Sequence, residues 1–339
     1  MDSQVIKQKL TDLGINPKNV VNAHVHLPEI NASMIENAQG QMDHAMLPKE
    51  ILIESIQLLT PRHFYTRNRH YSGAAIILPL EAHNIQGTSS MLYCSNRRVL
   101  RLAKRYPEFY IPFASIDMTA KETPKKIPLL RDLGFVGVKY HALEGYSLYD
   151  PRCVESLKQL EALNMPLVVH LGDTPFEGVN LEYADPQILL YLVKEFPTLR
   201  IMATHFATPL HHTLFWIASR YETIFLDTAE FPIYWRASSE NPYGGLLHPL
   251  NTRRIGLHKF IFGTDFPMPT FQYSTRGTLK IGLHDPGEYL YEFLTLPETY
   301  FSTEEKYQIL CENVWTFLGK QRTEIISSNR KINTIKFDF

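Results

Sequence analysis

The sequence predicts a (β/α)8 barrel on three observations. Eight short apolar runs punctuate the chain, at 20–26, 74–80, 110–116, 135–141, 167–171, 200–205, 223–227 and 260–263. Each is nearly continuous in apolar residues, as strands covered on both faces are. Amphipathic stretches at 96–106, 124–133, 151–163, 186–196 and 210–220 separate them; Ile188, Leu189, Leu192 and Val193 fall at helical spacing before Pro197 ends that helix. Beyond the first two runs the spacing approaches the roughly 30 residues of one βα unit. An open doubly wound sheet is the competing arrangement, but no Gly-x-Gly-x-x-Gly follows the first run, where a dinucleotide-binding sheet carries it.

In chain order, the first strand is followed by an insertion of mixed character at 27–72. Loops after barrel strands sit at the catalytic face, so this segment is expected to form part of that face. Strands and helices then alternate to a closing helix at 304–318, and a polar tail is expected at 327–339. The expectation is one domain over 1–339, with the barrel at about 20–319.

Lys and Arg total 34 against 35 Asp and Glu, a formal net charge of -1, so no basic excess points to nucleic acid or an anionic membrane. No apolar run reaches the roughly 18 to 20 residues of a membrane span, and residues 1–9 lack the apolar core of a signal peptide. Cys94, Cys153 and Cys311 are odd in number and far apart, which suits a reducing compartment. A cytoplasmic protein with a small-molecule partner is expected; a homo-oligomer is compatible with this reading.

The 14 histidines are the compositional excess, and several close strands. In Asn22-Ala23-His24-Val25-His26, alternation points His24 and His26 at the barrel axis and Val21, Ala23 and Val25 at the helices. His170, His205 and Asp265 each end or follow an apolar run. From His170 to His205 is 35 residues, and from His205 to Asp265 is 60, which is one βα unit and then two. All five therefore fall at one rim of the barrel, where active sites of this fold lie. Any one of them alone would read as a hydrogen-bonded core residue; their shared position favours function.

Imidazoles with one carboxylate suit Zn²⁺, with Mn²⁺, Fe²⁺ or Co²⁺ also compatible, and argue against Ca²⁺ or Mg²⁺. Such an ion with an open coordination place makes hydroxide available near neutral pH. Asp265 can then accept a proton from water, and His205 can orient the water or stabilise charge on the substrate. Lys139, 31 residues before His170, faces the same site. Carbamylated, it would bridge two metals; as an ammonium it would pair with Asp265 or Glu81, or bind a substrate carboxylate. One ion is expected, or two if Lys139 is carbamylated.

Asn22-Ala23-His24-Val25-His26, Gly137-Val138-Lys139-Tyr140-His141, Val169-His170, Thr204-His205 and Gly263-Thr264-Asp265-Phe266-Pro267 together resemble the amidohydrolase superfamily. The similarity is to the amidohydrolase-related branch, which includes aminocarboxymuconate-semialdehyde decarboxylase and several lactone hydrolases. It spans roughly 20–319 and includes the closing helix around Asn313. The resemblance implies that His24, His26, His170 and Asp265 hold the catalytic metal, and that His205 is a second ligand position or the acid/base. The chain departs from the pattern at Asn22, where an Asp is commoner, which removes an expected carboxylate behind the ligands.

The leading expectation is a metal-dependent hydrolase acting on a C–N or C–O bond at a carbonyl. A non-oxidative decarboxylase on the same metal is the alternative, and a catalytically inactive barrel is a third reading, which the complete ligand set disfavours. His141, two residues beyond Lys139, and Arg236 are candidate substrate contacts, and Arg276 reads as a surface residue. His211, His212, His258, His63 and His70 take structural readings.

Overall fold

The computed structural model describes residues 1–29, 60–80, 94–174, 179–229, 245–267, 269–273, 279–283 and 285–332. Eight parallel strands follow one another in sequence order: β1 (Val21–Val25), β2 (Ala74–Ile77), β3 (Tyr110–Ser115), β4 (Gly137–Tyr140), β5 (Leu167–Val169), β6 (Ile201–Ala203), β7 (Ile224–Asp227) and β8 (Phe260–Ile261). The residues beyond β8 close the circle onto β1. The Ala23 N–H donates to the Phe262 carbonyl at 2.8 Å, the His26 N–H to Phe266 at 2.7 Å, and the Asp265 N–H to His24 at 2.9 Å. A (β/α)8 barrel results, with helices between the strands.

Each strand is buried on both faces because the two sides meet different apolar partners. Ile76, Phe113, Val168, Met202, Phe225 and Ile261 come from six strands yet form one cluster, and side chains from so many strands meet only inside a barrel. Ala75, Ala114, Leu167, Val169, Leu226 and Phe260 alternate with them and pack outward on the helices. Val99, Leu100 and Ala103 face inward from the helix Asn96–Arg105, which Ser95 caps by accepting from the Arg98 N–H.

Strand β1 corrects one expectation. Val21 and Ala23 lie in the interior cluster, whereas Val25 packs outward. The pairing with β2 slips between Asn22 and Val25, and an irregularity of this kind moves the following side chains to the other face. His24 and His26 thus enter the barrel above two apolar residues of their own strand.

The C-terminal segment adds to the expected pattern, and residues 333–339 of the expected polar tail lie outside the described residues. Residues expected to begin a polar tail continue the helix Arg322–Lys331, whose Ile325 joins the interior cluster with Phe317 and Leu318 of the helix Asn313–Leu318. Phe317 packs 5.6 Å from Phe225 and 6.4 Å from Phe113, so these helices cap the barrel at the end away from the histidines. Removing so buried an aromatic ring costs about 3–5 kcal/mol. Just before this helix, Gln308–Glu312 form a π-helical turn, and the Ile309 carbonyl accepts from the Phe262 N–H at 3.2 Å. Asn313 donates to the carbonyls of Leu257 and Phe260, both at 2.8 Å. The short β8 is therefore held by the closing helix as well as by β7.

Further elements had no counterpart in the expected pattern, among them the N-terminal helix Ser3–Asp12, the helix Pro61–Asn68 within the 27–72 insertion, the helices Pro249–Ile255 and Pro286–Thr295, and an antiparallel pair, Pro269–Tyr273 with Leu279–Leu283, after β8. The rest of the insertion, residues 30–59, lies outside the described residues. Among the described residues no helix is long and apolar enough to cross a membrane.

Candidate metal centre

Above the apolar layer, the next inward residue on several strands is ionisable. On β5 His170 follows Val168, on β7 Asp227 follows Phe225, and on β4 Lys139 and His141 follow Gly137. His24, His26, Lys139, His141, His170, His205, Asp227 and Asp265 are all buried.

Three of them converge. His24 Nε2 lies 3.1 Å from His26 Nε2 and 3.0 Å from Asp265 Oδ1, and His26 Nε2 is 3.2 Å from the same oxygen. Among the described residues this is the one set of three His, Cys, Asp or Glu donors gathered closely enough to hold an ion. Two bonds of about 2.1 Å at right angles span about 3.0 Å between ligand atoms, so the triangle has the size of one face of a coordination shell.

The protons support the same reading. His26 Nδ1 lies 2.7 Å from the Leu78 carbonyl, which can only accept, so that nitrogen carries the proton and Nε2 is bare. His24 Nδ1 lies 2.6 Å from Asp227 Oδ2, which likewise leaves Nε2 bare in the neutral ring. Two bare nitrogens and a carboxylate oxygen then face one another in a buried space, an arrangement that needs a cation or a proton at its centre. Burial works to lower the His24 pKa, but the carboxylates of Asp265 and Asp227 raise it above the usual histidine value. Without a metal, a proton on His24 meets part of that need. Burial lowers His26 despite Asp265, and Asp265, against its own burial, is held well below the usual carboxylate range, chiefly by His24.

His170 stands beside the triangle, outside the close set. Its Nε2 lies 3.1 Å from the Asp173 carbonyl, so Nδ1 is the bare nitrogen, and its ring stacks on His141 at 3.9 Å and lies 4.8 Å from His205. Burial and the nearby Lys139 bring its pKa down to about 3. Burial also pushes His141 and His205 well below the usual value, so all three rings are neutral at pH 7. The loop holding His170 lies against the loop after β6. Gly172 has φ +87°, and a Cβ there would meet the Thr208 carbonyl oxygen at 2.4 Å.

His205 opens a left-handed turn in which His205, Phe206 and Ala207 have φ of 56°, 49° and 51°. Its Nδ1 points toward Asp265 Oδ2 at 3.8 Å. Lys139 is 1 % exposed, and its Nζ has no hydrogen-bond partner among the described residues. Burial lowers it to about 8, against the pull of Asp227 and Asp265. The expected ion pair with Asp265 is absent among the described residues; Glu81, Arg236 and Arg276 lie outside them.

Sequence reasoning overlooked Asp227. Ile224-Phe225-Leu226-Asp227 ends an apolar run in an ionisable residue, the same signal that marked His170 and Asp265. A carboxylate therefore stands behind His24, on β7. Asn22 instead ties β1 to the end of β8, its Nδ2 donating to Thr264 Oγ1 at 2.8 Å and its Oδ1 accepting from the Thr264 N–H at 3.1 Å.

The amidohydrolase family model matches residues 81–316, more than two thirds of the sequence. The chain belongs to the amidohydrolase family. Among solved structures it is similar to an uncharacterised TIM-barrel protein, Bb4693 of Bordetella bronchiseptica, at 18% identity and TM-score 0.62 over 89% of this chain and 99% of that one. The manganese complex of 5-carboxyvanillate decarboxylase from Novosphingobium aromaticivorans matches at 14% identity and TM-score 0.60, over 89% and 96% of the two chains. A probable 2-pyrone-4,6-dicarboxylic acid hydrolase from Acinetobacter baumannii, bound to citric acid, matches at 16% and 0.55, over 89% and 100%. No curated protein matches the sequence. The similar folds thus include proteins named as a hydrolase and as a decarboxylase, the latter solved with manganese.

Proposed function

We propose that this amidohydrolase is a metal-dependent hydrolase of a small molecule, cleaving a C–N or C–O bond at a carbonyl. One observation carries the reading: Asp265 divides its oxygens, with Oδ1 in the triangle with His24 and His26 and Oδ2 turned toward His205. The residues fit one borderline divalent ion, zinc or manganese foremost, held by His24, His26 and Asp265, with the bare Nδ1 of His170 as a fourth donor. Bound there, the ion supplies Lewis acidity to water and to a substrate carbonyl. Asp265 Oδ2 accepts the proton released as water attacks, and the neutral His205 ring relays it toward the leaving group. The Lys139 ammonium faces the negative charge that develops on the carbonyl oxygen. We read 1–339 as a single domain that works on this one site.

Decarboxylation is the second reading. The Lys139 ammonium, unpartnered among the described residues and close to the stacked His141 and His170 rings, favours it, because a buried ammonium there suits a substrate carboxylate. A panel of lactones, amides and aromatic carboxylates, assayed in ¹⁸O-water before and after chelation, separates the two. Hydrolysis predicts chelator-sensitive turnover and one ¹⁸O in the acid product. Carbon dioxide release from an aromatic carboxylate would replace it with the second reading, and turnover indifferent to chelation would count against both.

A further inference from the structure

We infer that Asp227, at the end of β7, is a positioning residue that fixes the orientation and protonated nitrogen of His24 and ties His24 to the turn carrying His205. The inference rests on the reading of the triangle as a metal site. Asp227 and His24 are both fully buried, and Asp227 Oδ2 accepts from His24 Nδ1 at 2.6 Å. The other oxygen, Oδ1, accepts from the main-chain N–H of His205 at 3.1 Å and of Ala229 at 3.3 Å. A single carboxylate therefore joins the β1 ligand to the left-handed turn after β6.

The room for this contact is built by the segment just after β8. A Cβ at Gly263 would lie 2.9 Å from the His24 Cβ and 3.4 Å from the Asp227 Cβ, so only glycine lets the two side chains close beneath the triangle. β7 is also paired to β8 through Asp227 and Ile261, which fixes where the carboxylate stands.

The chemistry requires a carboxylate, because every hydrogen-bond partner of Asp227 among the described residues is a donor. An amide has one accepting end. Turned with its NH₂ toward His24, Asn would make Nδ1 an acceptor and move the ring proton to Nε2, into the space where the ligands meet. Turned the other way, its NH₂ would oppose the His205 and Ala229 N–H groups and leave buried donors unpaired, the costlier arrangement, so the first orientation is the one expected. Outer partners of histidine ligands are worth about 10–100-fold in metal affinity.

The experiment compares wild type with Asp227→Asn. Zn²⁺ affinity is measured by competition with a chromogenic chelator, and the His24 tautomer is read by ¹⁵N NMR of the metal-free protein at a pH where the ring is neutral. The wild type is expected to carry the His24 proton on Nδ1, and the variant is expected to lose that signal and to bind Zn²⁺ about 10–100-fold more weakly. A role in folding alone would lower thermal stability while leaving Zn²⁺ affinity within twofold, and that result overturns the inference. A wild-type His24 protonated on Nε2 overturns it as well, whether or not the variant folds. If the wild type takes up no Zn²⁺, the metal reading falls, and the two NMR spectra still decide whether Asp227 governs His24.

Discussion

His205 Nδ1 and Asp265 Oδ2 face each other at 3.8 Å, and each side chain hangs from a residue with φ of 56°. Extended strand backbone would carry both residues straight off the rim; the left-handed conformation bends each of them back over the triangle. Residues other than glycine adopt it at a cost of about 1–3 kcal/mol each, which the surrounding contacts must offset. Here those contacts include the Asp227 carboxylate on the His205 N–H and the His24 carbonyl on the Asp265 N–H.

Asp265→Asn separates metal binding from chemistry. The amide keeps an oxygen for the triangle, so affinity falls moderately, but it accepts protons poorly and the rate drops by about 10² to 10⁴. Steady-state kinetics at saturating metal check this, and near-normal turnover with metal bound would move the base to His205 and favour decarboxylation.

The ligand histidines are expected to rank. His24→Ala and His26→Ala each remove a corner of the triangle and abolish stoichiometric metal, whereas His170→Ala, outside it, weakens binding less. Equilibrium dialysis with elemental analysis gives the order, and equal losses for all three would place His170 on the same footing as the others.

Lys139 predicts a trade between stability and activity. In the unfolded chain it keeps its proton up to the ordinary value of 10.5, whereas in the folded chain burial releases it near 8. The unfolded state thus binds more protons between those values, and stability rises with pH across that window; below about 8 the full penalty applies. Lys139→Met should stabilise the metal-free protein at pH 7 by on the order of 3 kcal/mol, a gain that shrinks as pH rises from about 8 and is gone by about 10.5, while turnover falls. Denaturant unfolding at pH 7 and pH 10 tests the sign. If wild-type protein instead holds two ions, and Lys139→Ala holds one or none, Lys139 is carbamylated.

Gly263→Ala places a methyl group 2.9 Å from the His24 Cβ. Overpacking of this kind costs about 1–3 kcal/mol, and here it also displaces a ligand. Thermal melts and metal titration are both expected to register the change; a variant with wild-type values for both would show that the backbone yields freely.

The eight strands were legible because each is short and apolar on both faces, and because those beyond the first two are spaced by about one βα unit. The rim residues were legible because a charged or imidazole group closing an apolar run has no packing reason to be there. What escaped was local geometry. The slip in β1 reversed the faces of Val21 and Ala23, since alternation counts residues and an irregular ladder does not. Asp227 carried the same signal as Asp265 but was read as the end of a strand. The helix Arg322–Lys331 was hidden by its polar composition, since only Ile325, Asn329 and a few neighbours face inward.

The central claim is that His24, His26 and Asp265 bind one catalytic divalent ion. Its most direct measurement is the metal stoichiometry of the purified full-length chain, stripped and then reconstituted with Zn²⁺ or Mn²⁺, beside His24→Ala handled identically. The account predicts close to one ion per wild-type chain and none retained by the variant. A wild-type chain that holds no ion, or a His24→Ala chain that holds as much as the wild type, would contradict it.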